Sequence, residues 1–329
     1  MIELLETIRM RLEKVVKMKP GQNLLVISDT YARSKAMAQA FTEVANSIGI
    51  RAVLLMIDPL ANIGQEPPPC VGAAMKSVDV VIEFGERSTS GHSTARKEAT
   101  AVGVKYYVMH TDVSEDYYRT PVSIEDLERV KAQTERFCEM MTRSSIAKVT
   151  TPYGTDITMS LERREAIPIH PLTNSGVGSL QDYAEAAISP VEGTTEGLVA
   201  VDASVRSWGY VLRTPIRFEV KKGRVQIETV TSDVAEEAEK FRAILRLDGN
   251  ASNCAAELGL GTSHTASRIL RGDVMGDYGT AGHVHLAVGR NDDIGGKTYS
   301  KVHNDVLMTR ATVTLDGVCV IEKGEIVMK

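Results

Sequence analysis

The chain has 329 residues, 43% of them hydrophobic and 25% charged, and its 38 basic and 43 acidic side chains leave a formal net charge of −5. Such a composition excludes a disordered or fibrous chain. Well-mixed charge with 5% aromatic residues lacks the footprint of a nucleic-acid binder, and no apolar run approaches the ~20 residues a bilayer span needs.

At roughly 100–200 residues per domain the length predicts two domains. Residues 2–18 repeat apolar side chains at helical spacing (Ile2, Leu5, Ile8, Leu12, Val15, Val16) and stop at Pro20-Gly21. This segment is charged throughout and has no apolar core of a signal peptide, so a cytoplasmic protein is expected. Residues 23–28 (NLLVIS) form a nearly continuous apolar run, as in a strand buried on both faces. A helix over 34–48 follows, then strands at 52–57 (AVLLMI), 79–84 (DVVIEF) and 104–109 (VKYYVM), with helices near 70–76 and 93–102 between them. This alternation predicts an α/β domain with a mainly parallel, doubly wound sheet.

Residues 123–143 read as one long helix, capped by Ser123 and stapled by Val122 against Leu127. We place the domains at 1–145 and 146–329. In the second domain, 147–160 reads as a hairpin turning at Tyr153-Gly154. Strands are expected at 198–203, 216–220 and 224–231, a helix at 233–246, and glycine-rich strands at 255–260, 283–288, 306–315 and 318–322. That half is α+β and largely antiparallel. Cys70, Cys138, Cys254 and Cys319 form no CxxC pair and read as reduced, buried thiols.

Chemistry concentrates in the second half. The turn after the first strand, SDTYARSK (28–35), lacks the glycines of a phosphate-binding loop. No GxSxG supports a serine hydrolase, and Cys254 has no nucleophile surroundings. Five of the seven histidines follow residue 169: His170, His264, His283, His285 and His303. In a strand, His283 and His285 share a face, and so do His303 and Asp305. An imidazole and a carboxylate on one face can hold a metal, although neither spacing is specific by itself. Glu257 stands among small apolar residues, an unusual place for a charge. His92 and His110, at the ends of first-domain elements, are candidates for substrate contact in an interdomain cleft or for capping. His170 and His264 read as loop residues, and Arg163 and Arg164 as a solvated pair or a clamp for a substrate carboxylate.

A set of short pieces occurs in order along the chain: GTDIT (154–158), EAAISPVEG (185–193), AELGLGT (256–262), HLAVG (285–289), Gly295-Gly296 and HND (303–305). PGQ (20–22) and HSTAR (92–96) are compatible with the same pattern. In these the chain resembles the thermophilic-type metallo-aminopeptidases (the aminopeptidase T and aminopeptidase S group) and the related iron-dependent 2,5-dihydroxypyridine 5,6-dioxygenases. The resemblance covers nearly the whole chain. It implies Glu185, Glu257, His285, His303 and Asp305 as metal ligands, for one or two divalent ions (Zn, Mn or Co), and commonly a homodimer. It implies a hydrolase that cleaves an amino-terminal peptide bond or small amide, with a short peptide or other small molecule as the expected partner; in that reaction Glu185 or Asp292 is the candidate to move the proton. The peptidases carry a tyrosine seven residues after the first histidine, where this chain has Asp292. The dioxygenases differ at Glu257 and His285, yet His285, His303 and Asp305 match a two-histidine, one-carboxylate set for Fe(II), the alternative reading. A non-catalytic binding module ranks behind both, because all five ligand types are present.

Overall fold

The computed structural model describes residues 2–86, 88–111, 123–174, 176–180, 183–206, 208–254, 256–266 and 268–328. Val122 of the expected staple and Ala255 of the expected strand lie outside them. The chain divides into two compact units, 1–132 with 169–183 and 133–168 with 184–329.

The first unit is built on strands β1 (Asn23–Ser28), β2 (Arg51–Met56), β3 (Val80–Gly85) and β4 (Lys105–His110). They alternate with helices α1 (Ile2–Met10, extended by a π-helical turn over Arg11–Val15), α2 (Ala32–Ser47), α3 (Pro69–Met75) and α4 (Thr94–Ala101). All neighbours pair in parallel. The order β2-β1-β3-β4 reverses direction at β1. Right-handed crossovers then place α2 on one face and α3 with α4 on the other. Packing agrees. Leu25 and Ile27 of β1 join Val71, Met75 and Ala99 in one core cluster, while Phe84 meets Phe41 of α2 edge-on at 5.1 Å. Burial on both faces is why β1 and β3 read as unbroken apolar runs, whereas the edge strand β2 is apolar in sequence yet exposes Val53 and Met56. The Ser93 hydroxyl caps α4 by accepting from the Arg96 N–H at 3.0 Å. His110 is buried at the end of β4, and His92 closes a short 3₁₀ turn, Ser90–His92. A fifth parallel strand, Val177–Ser179, adds beside β4; three residues are too few for a periodic signal.

Helix α5 (Ile124–Arg143) begins as expected, with the Asp126 N–H donating to Ser123 Oγ at 3.3 Å. The second unit holds two antiparallel sheets. Numbered in chain order with the Val177–Ser179 strand as β8, and with β7 (Ile167–Ile169), β13 (Arg224–Val225) and β19 (Glu325–Ile326) as short edge strands, one runs β13-β12-β10-β6-β5-β17-β18-β19 and the other β11-β16-β15-β14-β9-β7. The first sheet includes β5 (Ile146–Thr150), β6 (Asp156–Ser160), β10 (Glu196–Val201), β12 (Ile216–Lys221), β17 (Thr312–Leu315) and β18 (Val318–Glu322). The second includes β9 (Glu185–Ile188), β11 (Ser204–Val205), β14 (Glu257–Gly261), β15 (Val284–Gly289) and β16 (His303–Met308). Their inner faces share one core with Phe137 and Met141 of α5 and with Ala238, Phe241 and Leu245 of helix α6 (Ala235–Leu245).

Two expected strands are corrected. Residues 306–315 are not one strand: β16 ends at Met308 and β17 starts at Thr312 in the other sheet. Arg310, at φ 50°, makes the turn between them. Residues 224–231 hold only the short strand Arg224–Val225. Thr229 Oγ1 donates to the Gln226 carbonyl at 2.7 Å and closes a 3₁₀ turn instead. Cys138 and Cys254 are buried as expected, whereas Cys70 and Cys319 are exposed. Among the described residues no helix is long and apolar enough to cross a membrane.

Candidate metal centre

Strand alternation builds the site. On β14, Leu258 and Leu260 enter the core between the sheets; on β15, Val284, Leu286 and Val288 do; on β16, Val306 and Met308; on β9, Ala186 and Ile188. The intervening residues face the other way. They are Glu185 on β9, Glu257 on β14, His285 on β15, and His303 and Asp305 on β16. Register brings them level. Gly259 lies opposite His285, and Ala287 sits between Glu257 and Asp305. Side chains from four adjacent strands therefore converge over a floor of small residues. All five are buried, each at most 4% exposed.

Their donor atoms form two groups, each within 4.8 Å: Glu185, Glu257 and His285, and Glu257, His303 and Asp305. Glu257 belongs to both. Its Oε1 lies 3.3 Å from His285 Nε2 and its Oε2 3.2 Å from His303 Nε2. Glu185 Oε2 is 2.9 Å from His285 Nε2, and Asp305 Oδ1 is 3.0 Å from His303 Nε2. Two ligands bound at about 2.1 Å to one cation lie roughly 3.0–3.4 Å apart at octahedral to tetrahedral angles, so these separations fit coordination edges. The His303 ring is oriented for the task. Its Nδ1 lies 2.8 Å from the Arg290 carbonyl oxygen, which can only accept, so Nδ1 carries the proton and Nε2 faces the carboxylates. A neutral His303 in that tautomer presents a lone pair to two carboxylates, and either a second proton or a cation must lie between them.

Electrostatics agree. Burial alone would lower both imidazole pKa values. For His285, Glu185 with Glu257 and Asp305 outweighs burial, and for His303, Asp305 with Glu257 does, so each rises to about 10. Burial would raise Glu257, yet hydrogen bonds and charge from His285 and His303 bring it down to about 2. Asp305 is also held well below the usual carboxylate range; burial opposes this, and Arg206 and His303 prevail.

Two further residues carry no signal in the sequence. The Arg206 guanidinium binds Asp305 Oδ2 at 2.5 Å, leaving Oδ1 for the centre, and both side chains are buried. The Tyr278 ring packs edge-on against His285 at 5.3 Å, and its hydroxyl donates to the Ser204 and Asp305 carbonyls at 3.3 and 3.4 Å.

The remaining candidates stand apart from both donor groups. Asp292 is held by Arg290, its Oδ1 2.6 Å from Nε. His283 precedes β15, and its Nδ1 binds the Asp277 carbonyl at 2.7 Å instead of joining His285. Arg164 pairs with Glu192 and the Gly295 carbonyl, which makes it a loop clamp. Arg163 and His264 are exposed, and His170 is buried in the first unit. Burial drives the Cys254 thiol up to about 12, consistent with no nucleophilic role.

The sequence profile of the NicX family, described as 2,5-dihydroxypyridine 5,6-dioxygenase, matches residues 3–328. Among solved structures, the chain is similar to 2,5-dihydroxypyridine dioxygenase from Pseudomonas putida KT2440, with 18% identity, 99% of this chain and 97% of that chain covered, and a TM-score of 0.81. It is also similar to AmpT from Thermus thermophilus, with 13% identity, 99% of each chain covered and a TM-score of 0.70. At these identities both likenesses show a shared fold. No curated protein sequence matches the chain significantly.

Proposed function

The chain belongs to the 2,5-dihydroxypyridine 5,6-dioxygenase family; from the geometry of its donor groups rather than from that match, we propose a metalloenzyme whose centre takes two divalent cations and hydrolyses an amino-terminal peptide bond or small amide. The observation that carries this reading is Glu257, which offers one oxygen to each of two donor groups. Glu185 and His285 complete the first group, and His303 and Asp305 the second. Two bound dications would polarise a carbonyl and make a water acidic near neutral pH. Glu257 would hold the two half-sites in register, and Arg206 would keep Asp305 ligating through one oxygen. Glu185 or Asp292 is the proposed proton carrier; Asp292, bound by Arg290 outside both donor groups, would act through a water or the substrate. A small molecule or short peptide is the proposed substrate.

The family match favours a second reading: one Fe(II) and oxidative cleavage of a dihydroxypyridine-type ring. That chemistry suits two histidines and one carboxylate. Here the donor atoms of His285 group with Glu185 and Glu257 rather than with His303 and Asp305, which favours the hydrolase. Anaerobic purification followed by metal analysis separates the two. About two Zn, Mn or Co ions per chain with amide turnover supports the hydrolase; one iron with oxygen uptake on 2,5-dihydroxypyridine overturns it.

A further inference from the structure

Gly259 sits at the middle of β14, directly opposite His285 on β15. A Cβ built at this position would lie 2.1 Å from both Cε1 and Nε2 of His285 and 2.8 Å from Cδ2. The imidazole therefore rests flat against the β14 backbone, in the space a side chain would fill. It has nowhere to retreat. His285 is 1% exposed, Tyr278 closes on the ring, and Nε2 is the atom held between Glu185 and Glu257. Gly259 does not occupy the left-handed backbone region, so alanine is conformationally acceptable there. The three atoms nearest its Cβ all belong to the His285 ring. Gly261, two residues on, differs: its Cβ would strike the Thr280 and Tyr278 carbonyl oxygens at 2.2 and 2.7 Å, a backbone conflict independent of His285.

We propose that Gly259 is the positioning residue of the Glu185–Glu257–His285 half of the centre, holding His285 in place by leaving its ring room against the strand. Its loss displaces His285 from that half and spares the Glu257–His303–Asp305 group. The selective loss of one ion rests on the two-ion reading; the steric coupling of Gly259 to His285 does not.

The test is a double-mutant cycle on the full chain, treated with chelator, comparing Gly259→Ala, His285→Ala and the double variant, with Gly261→Ala as control. Overpacking against the fixed ring should lower Tm by roughly 3–8 °C in the native background and by less than about 1 °C once His285 is alanine. Gly261→Ala should lower Tm in both backgrounds. Zinc titration followed by metal analysis should find two ions on the native chain and one on Gly259→Ala. Equal Tm losses in both backgrounds, or none in either, overturn the proposal. If Gly259→Ala is insoluble, a soluble double variant supports it and an insoluble double variant overturns it. A native chain binding fewer than two ions overturns the two-ion reading, and the Tm cycle still decides the role of Gly259.

Discussion

Zinc added to the metal-free chain at pH 7.5 should expel about two protons per chain at full loading, before any released from bound water. The count comes from the two imidazoles. With no cation present, the surrounding carboxylates outweigh burial and raise His285 and His303 to about 10, so both are protonated at pH 7.5. A cation bound at Nε2 requires that nitrogen bare. Imidazoles at their ordinary pKa near 6.5 would be only about 10% protonated at that pH, and the release would be roughly 0.2. Each ion that displaces one such proton should bind about tenfold more tightly per pH unit between pH 7 and 9. For folding the sign runs the other way. Because the folded-state values lie above the unfolded value, imidazolium pairing stabilises the metal-free chain fully below about pH 6.5, and that contribution fades as pH rises toward 10. Titration calorimetry in buffers of differing ionisation enthalpy counts the protons, and chelator competition at several pH values gives the affinity slope. Release below half a proton per chain, or an affinity flat from pH 7 to 9, would refute the reasoning.

Glu257→Gln should empty both half-sites, with turnover falling roughly 100-fold or more and metal analysis after gel filtration reading near zero. Asp292→Asn should retain the metal yet lose about 100-fold or more in turnover if Asp292 carries the proton; steady-state kinetics beside metal content distinguish the two outcomes. Arg206→Met leaves Asp305 buried without its guanidinium, and should cost about 3–5 kcal/mol in denaturant unfolding of the metal-free chain. His170, lowered to about 4 by burial with Lys131 contributing, is held neutral when folded. Stability should therefore drop as pH falls from about 6.5 to 4, by about 3 kcal/mol; His170→Gln should flatten that acid limb in pH-dependent unfolding.

Much of the local architecture was legible in the chain. Apolar runs with helices between them marked the parallel sheet; its central strands β1 and β3, buried on both faces, need no alternation, while β2 keeps an apolar run at an exposed edge. In the second unit the alternation itself carried the site. Leu258 and Leu260 flanking Gly259, and Val284 and Leu286 flanking His285, place Glu257 and His285 on faces that leave the core. The HxD piece likewise put His303 and Asp305 on one face. Where local signals failed, they were short or overridden. A three-residue strand at Val177–Ser179 has no period to detect, and a left-handed Arg310 divides what reads as one strand into members of two sheets.

Alternation says which face a side chain takes, but not which strand lies beside it. Backbone hydrogen-bond ladders are alike for every residue, so partner and register follow only when all the apolar faces are buried together. That choice set Gly259 against His285, drew Glu185 to within 2.9 Å of a histidine 100 residues away, and split one carboxylate, Glu257, between two donor groups. It also delivered Arg206 to Asp305 across a two-residue strand pairing that no composition or spacing foreshadows. The donor types were written in the sequence; their arrangement as two groups sharing Glu257 arose from strand register.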